Sequence, residues 1–392
     1  SNLRNQKGIK KMNITLKRTP EQIELIQAMG SKNRDTAYEA QVALAEFIGP
    51  VINEVVNQAP TISNLFTPLQ FDADDNPSIP LDVYYDVSDE DYINVYSTHA
   101  PGGLPTNQVT PTHSEMKVAT YKLDTAVSFD KKYASRSRLD VVSKTFTRAA
   151  QEILLKQERT SANLLLGALA NGSTTADGST YAHLVTSAQA GRFLLDDLNT
   201  MLTRAKRIRP SWAGGTPVGG NAGITDMICS PEVVADLRAM AYNPINTVEA
   251  DGTIASTANA GTAAPDSVRA AMYGGAGIPE FFGVSVMEVH ELGASKKFTT
   301  IFGALSPSSD NNPNTNNSNS FAATDDLVIG IDRSRDAFVR AVAVDGETGS
   351  EFGLVADDQY SIRQAKVGWF GSIEEGRVVL DDRAIVGIDL EA

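Results

Sequence analysis

The sequence predicts an α+β protein organised around one long helix, and three observations carry that prediction. From Leu139 to Leu169 the apolar residues fall at helical steps: Val142, Phe146, Ala149 and Ile153 mark one face, and Leu164, Leu165 and Leu169 resume it. On either side, "KVATYKLDTAVSFDKKYASRS" and the closing "SIRQAKVGWFGSIEEGRVVLDDRAIVGIDLEA" alternate or run apolar as strands do. Between residues 72 and 113 the chain holds eight acids (Asp72, Asp74, Asp75, Asp82, Asp86, Asp89, Glu90 and Asp91), many Pro and Gly, and no Lys or Arg. Such a stretch does not suit a core and reads as a projecting β-arm.

Taken in order, Thr19 can cap a helix that Pro20 begins and Gly30 stops. A second helical pattern starts at Asp35 and is kinked or ended near Pro50. "TISNLFTPLQF" leads into "SIPLDVYYDV", whose aromatic and β-branched residues favour strand. The Leu139–Leu169 helix spans roughly 45 Å at 1.5 Å per residue, long for a globular core and suited to a spine, and Asn171-Gly172 closes it. "DDLNTMLTRAKRI" is an amphipathic helix, and the strand "TDMICS" runs into a Pro-initiated helix, "PEVVADLRAM". "GIPEFFGVSVMEV" is a turn and strand, residues 306–320 are a polar surface loop, and "DDLVIGIDRSRDAFVRAVAV" returns to strand. The closing segment reads as two strands joined by a polar, glycine-punctuated link, with Ala384 to Ile388 buried in a sheet.

Hydrophobic residues make up 42% of the 392, enough for a sizeable core, and the net charge of −14 argues against a dedicated nucleic-acid binder or an anionic-membrane surface. No apolar run approaches the roughly 18 residues of a membrane span. With Cys229 as its one cysteine the chain has no intramolecular disulfide and is compatible with a reducing compartment. Residues 1 to 18 carry Arg4, Lys7, Lys10, Lys11, Lys17 and Arg18 without an acid, and no apolar leader segment is expected there.

Chemical motifs are sparse. His99, His113, His183 and His290 form no ligand-spaced pair, and "DADDNP" opens like a calcium loop but has Pro77 at the sixth position and Val83 at the twelfth. "WAGGTPVGGNAG" lacks the Lys-Ser/Thr of a phosphate cradle, and Cys229 sits in an apolar strand as a structural thiol. The pairs Glu374-Glu375 and Asp381-Asp382 read as solvated turns. No catalytic residue, metal or cofactor is therefore expected, and the chain reads as a non-enzyme. One constellation stands out: residues 131–160 hold eight basic residues, Lys131, Lys132, Arg136, Arg138, Lys144, Arg148, Lys156 and Arg159, against three acids. A basic helix and an acidic arm suit docking between molecules, where complementary charge sets register and partner choice.

In the order of its parts the sequence resembles a tailed-bacteriophage major capsid protein of the Hong Kong 97 fold. "ISNLFTPLQF" precedes the arm, "HSEMKVATYKLDTAVSFDKKYAS" leads back into the long helix, and "LLLGALANGS" ends it. "DMICSPEVVADLRAM", "GIPEFFGVSVMEV" and "SIRQAKVGWFGSIEEGRVVLDDRAIVGI", with Arg363 and the Asp382-to-Ala384 step, complete the likeness. The resemblance implies an N-terminal arm with helices (1–60), an extended β-hairpin loop (61–115) and a peripheral domain with the spine helix and peripheral strands (116–184). It further implies an axial domain with a central sheet flanked by helices (185–326, with surface loop 306–320), return strands of the peripheral domain (327–375) and a final axial strand (376–392). The implied function is structural: self-assembly as pentamers and hexamers into an icosahedral head enclosing double-stranded DNA, built in the bacterial host cytoplasm and found in the virion. Implied partners are other copies of the chain, a portal, scaffold or decoration proteins, and packaged DNA, touched without sequence preference by the basic arm Arg4–Arg18 on the inner surface. Contacts between subunits would join Asp86, Asp89, Glu90 and Asp91 to Lys131, Lys132, Arg136, Arg138, Lys144 and Arg148. The alternative is an encapsulin-like bacterial nanocompartment shell, and a hydrolase with a site of scattered Asp and Glu is the reading from another class.

The family's archetype joins a lysine of the extended loop covalently to a neighbour's asparagine, yet residues 35–116 contain no Lys or Arg. Boiled assemblies are therefore expected to run on a denaturing gel as one band at the 41.9 kDa monomer mass. A ladder of multiples contradicts this.

Overall fold

The computed structural model describes residues 14, 19–59, 61–72, 76–80, 115–136, 138–176, 179–208, 223–242, 280–281, 283–305, 321–335, 337–344, 350–357 and 364–391. The chain is α+β and divides into two compact units: Ser1–Ser78, Lys117–Ser161 and Val339–Val378 make the first, and Ile79–Met116, Ala162–Phe338 and Val379–Ala392 the second. The expected basic arm (Arg4, Lys7, Lys10, Lys11, Lys17, Arg18), the loop acids Asp86, Asp89, Glu90 and Asp91, His99, His113, Arg363 and loop 306–320 lie outside the described residues.

In unit 1, α1 (Pro20–Met29) starts where Thr19 Oγ1 accepts the Gln22 N–H at 3.4 Å. Helix α2 (Arg34–Gln58) starts at Asn33, whose side chain accepts the Asp35 N–H at 3.2 Å. It runs through Pro50, where the sequence places a kink or an end. Proline cannot donate to the Glu46 carbonyl, but both residues lie on the exposed face of the helix, where the loss of that bond costs less than in the core. Strands β1 (Thr67–Asp72), β4 (Tyr121–Asp130), β12 (Phe338–Val344), β13 (Gly353–Asp357) and β14 (Lys366–Val379) form the sheet, in the order β1-β12-β14-β13 with β4 also on β14. The short strands β2 (Ser78–Pro80) and β3 (Glu115–Lys117), most of whose residues belong to unit 2, pair with each other.

Two local readings are corrected here. The strand expected through Ser137 ends at Asp130, and Lys131–Ser135 is a short helix, α3. Its Ser135 abuts the end of α1 so closely that a Cβ on Gly30 would lie 2.7 Å from the Ser135 nitrogen, which makes glycine necessary there. The "polar link" in the closing segment is instead the interior of a 14-residue strand, β14. Its register with β4 is continuous from Lys366 opposite Asp130 to Glu375 opposite Tyr121. Period-2 alternation never breaks: Ile373 and Glu375 point in, and the inward charge is neutralised by arginines described below.

The core of unit 1 centres on Trp369, fully buried, with Phe129 and Phe146 at ring-centroid distances of 5.4 and 5.2 Å. Its Nε1–H donates to the Gln41 carbonyl of α2 at 3.2 Å, so the sheet's largest side chain also satisfies its polar atom. Helix α4 (Leu139–Asn171) has 33 residues, and Val142, Phe146, Ala149 and Ile153 are buried as their spacing requires. Ile14 is tied to it: its N–H donates to Thr147 Oγ1 at 3.2 Å, and its carbonyl accepts from Ser143 Oγ.

Unit 2 contains the two-stranded β5 (Ser173–Ala176) and β6 (Ser179–Ala182) and a six-stranded sheet. That sheet comprises β7 (Leu184–Thr186), β8 (Asp226–Cys229), β9 (Glu280–Phe281), β10 (Val284–Glu288), β11 (Asp326–Ile331) and β15 (Ile385–Leu390), ordered β7-β15-β11-β8-β10-β9. The boundary drawn from sequence at 327 falls inside β11. The last strand is an inner one, parallel to β7 and antiparallel to β11, and all six of its residues are buried. One face packs on α5 (Leu195–Arg207) and α6 (Pro231–Tyr242) through Leu198, Met201, Val234, Leu237, Val328 and Ile388. Helix α7 (Lys297–Leu305) follows β10. No helix among the described residues is long and apolar enough to cross a membrane.

Candidate functional site

Local sequence builds the basic surface. Asp130 ends β4, α3 makes one and a half turns, and α4 begins at Leu139, so Lys131 to Arg148 occupy the α3 helix and the first turns of α4. Lys132, Arg136, Arg138, Lys144 and Arg148 are exposed and Lys131 is half-buried. The apolar positions of α4 are spent on the core, which leaves its cations on the opposite, solvated face. Lys132 Nζ lies 5.7 Å from the Tyr133 ring centroid. Arg136, Arg138, Lys144 and Arg148 make no side-chain ion pair or hydrogen bond among the described residues. The residues expected to dock against them, Asp86 to Asp91, are outside the described residues.

The acids of the closing segment behave otherwise. Glu375, read from sequence as part of a solvated turn, is completely buried in unit 1. Arg340 Nε donates to it at 2.8 Å, Arg377 Nη2 at 3.2 Å and Tyr121 Oη at 2.8 Å, with Gln157 Nε2 at 3.1 Å. Arg377 also donates to the Ser63 carbonyl (3.1 Å), Ser63 Oγ (2.9 Å) and Ser161 Oγ (2.7 Å), and its guanidinium lies 5.4 Å from the Phe66 ring. Burial pushes the Glu375 carboxyl up, but the Arg377 and Arg340 guanidiniums, with the Tyr121 and Arg340 hydrogen bonds, outweigh it and hold the group below its usual value. The Tyr121 phenol is pushed up to about 12 by burial and by Glu375. This cluster ties the sheet (β4, β12, β14), α4 and the turn at Ile62–Leu65 together. It has the composition of a structural lock, since every charged member is taken up by another.

In unit 2, Asp389 is the opposite case. It is fully buried on β15, and neither carboxylate oxygen has a hydrogen-bond partner. Its register partner on β7, Thr186, also has an unpartnered buried hydroxyl. Burial, with Asp325 and Glu391 nearby, pushes the Asp389 carboxyl up to about 7. Asp381, the other acid pair's first member, accepts from Arg383 Nε at 2.9 Å and caps the short turn at Asp382–Ala384.

The remaining candidates are structural. His183 is buried with Nε2 2.8 Å from Thr174 Oγ1, and burial pushes its pKa down against the pull of Asp382 and Asp381. His290 is exposed. Burial pushes the Cys229 thiol up to about 12, away from the reactive thiolate. Among the described residues no group of three or more His, Cys, Asp or Glu could hold a metal ion.

No family model and no curated protein matches the chain. Solved structures similar to it include the SrpI encapsulin of Synechococcus elongatus PCC 7942 (13% identity, TM-score 0.42, covering 83% of this chain and 85% of that one). The capsid of cyanophage P-SCSP1u gives 12% identity and a TM-score of 0.44 over 83% and 86% of the two chains. The capsid of an empty GTA particle gives 12% and 0.47 over 85% and 90%. Likenesses of that order do not by themselves support a functional statement.

Two outcomes are expected. Glu375→Gln leaves the buried Arg377 guanidinium without a counter-charge and Arg340 with only Glu351, at 4.0 Å, and is expected to lower unfolding free energy by about 3–5 kcal/mol in urea. Glu374→Gln, at the exposed Lys122 pair, is expected to cost about 1 kcal/mol or less. Equal effects contradict the lock. For Asp389 the folded-state pKa lies above the unfolded one, so its contribution is present below the ordinary carboxylate range and lost as pH rises through about 7. Asp389→Asn is therefore expected to gain stability over the parent between pH 4 and 7, at up to about 1.4 kcal/mol per pH unit. Parallel pH profiles of the melting temperature contradict it.

Proposed function

We propose that this chain is a shell-forming structural protein, of the tailed-phage major capsid type, that assembles with copies of itself into a closed icosahedral head around double-stranded DNA. The observation that carries the reading is charge that finds no partner among the described residues. Arg136, Arg138, Lys144 and Arg148 are exposed without a side-chain partner there, while residues 72–113 supply eight acids and no Lys or Arg. In this reading the acid-rich segment is the extended loop of the fold. Asp86, Asp89, Glu90 and Asp91 lie across the α3–α4 face of an adjacent copy, and α4 is the spine of a peripheral domain. The six-stranded sheet with β15 inside it is the axial domain. Residues 1–18 face inward and contact DNA by charge alone. Many modest, repeated contacts of this kind hold a shell without any one of them being large.

Reversal of Asp89, Glu90 and Asp91 to Lys is expected to abolish assembly at low salt, and the parent's assembly is expected to weaken as salt rises. Unchanged assembly and unchanged salt dependence in the triple variant contradict the docking. Assembled particles that contain protein cargo and no nucleic acid would instead make the chain an encapsulin-like compartment shell.

A further inference from the structure

The described residues carry a second acidic surface. Along α2, Asp35, Glu39, Ala43, Glu46, Phe47, Pro50 and Glu54 are exposed, and Phe47 is 53% so. At 3.6 residues per turn they share one stripe about 120° wide, opposite the face buried by Leu44, Ile48 and Ile52. Four of them are carboxylates and none is a cation. Asp35, Glu39 and Glu46 make no side-chain bond among the described residues, and Glu54 accepts only from Gln58, one turn along the same helix. An exposed aromatic between unpaired carboxylates on a helix whose other face is already in the core has the makeup of a contact anchor with a charged rim.

The matching surface is on the same chain. On α4, Arg148 and Lys156 are exposed, without side-chain partners among the described residues, with the exposed Glu152 midway between them and the half-buried Leu155 beside Lys156. They are eight residues apart, as are Glu46 and Glu54, so each pair spans about 12 Å along its helix. With the helices antiparallel and these two i,i+4 rows aligned, Glu46 meets Lys156, Glu54 meets Arg148 and the uncharged Pro50 falls opposite Glu152. We propose that the Phe47 stripe of α2 docks on the Arg148–Lys156 stretch of α4 in a second copy of this chain. The contact rests on the shell reading, since it needs copies to associate. It assigns Arg148 to the α2 contact and leaves Lys131, Lys132, Arg136, Arg138 and Lys144 to the acid-rich segment.

The test is a charge swap in the full chain, read by sedimentation velocity with melting temperature as the folding control. Glu46→Lys with Glu54→Lys is expected to raise the protein concentration needed for assembly by about tenfold or more, and Arg148→Glu with Lys156→Glu to do the same. All four together are expected to restore assembly to near the parent's. Phe47→Ser, at an exposed position, is expected to weaken assembly without lowering the melting temperature. An α2 pair that assembles like the parent, or a fourfold variant no better than either pair, overturns the proposal while leaving the shell reading in place. A parent chain that stays monomeric at every concentration overturns the shell reading itself.

Discussion

Charges in this chain are sorted by segment, and the sorting limits what each segment can do. Residues 35–116 contain no Lys or Arg, so beyond Arg34 at its start the acids of α2 and of the stretch that follows have no cationic sequence neighbour. Arg136, Arg138, Lys144, Arg148 and Lys156 are likewise exposed without side-chain partners among the described residues. In water such charges cost little, and a solvated face is their ordinary fate. What gives them directional meaning is their segregation by sign, because complementary patches set register and exclude wrong partners even where they add little affinity.

Where charge is buried, the structure follows a different rule. Glu375, Arg340 and Arg377 are removed from water only because each is held by several others and by the hydroxyls of Tyr121, Ser63 and Ser161. Such a lock specifies one arrangement of sheet, helix and turn more than it adds net stability. Asp389 shows the cost of lacking those partners: the carboxyl keeps its proton to near neutrality. Inward charge in the Glu375 cluster of unit 1 is thus paired, and at Asp389 in the unit 2 sheet it is suppressed by protonation.

Much of this was legible in the sequence where one periodicity dominates. The α4 stripe, the strand-to-Pro231 helix and the final buried strand follow from apolar spacing, since burying those faces is what forms the elements. Signals that depend on partners distant in sequence were not legible. The Glu374-Glu375 pair looks like a turn because the guanidinium that neutralises Glu375 from β12 sits 35 residues earlier. Pro50 looks like a helix end because nothing local says that Glu46 and Pro50 fall on the exposed face of α2. The short α3 replaces the end of a strand because Gly30, a hundred residues away, leaves room for Ser135. The acidic stripe of α2 could have been read from the spacing of Glu39, Glu46 and Glu54, and was masked by the denser run of acids that follows.

These features support the proposed association between copies. The Glu375 cluster pairs its charge within unit 1 and Asp389 keeps its proton in unit 2, while the charge without side-chain partners among the described residues lies on exposed helix faces. Negative-stain electron microscopy of the purified full chain at low salt tests this most directly. The account predicts closed shells of uniform diameter. A field of single molecules or small oligomers, matched by a monomer-sized sedimenting species at all concentrations, contradicts it.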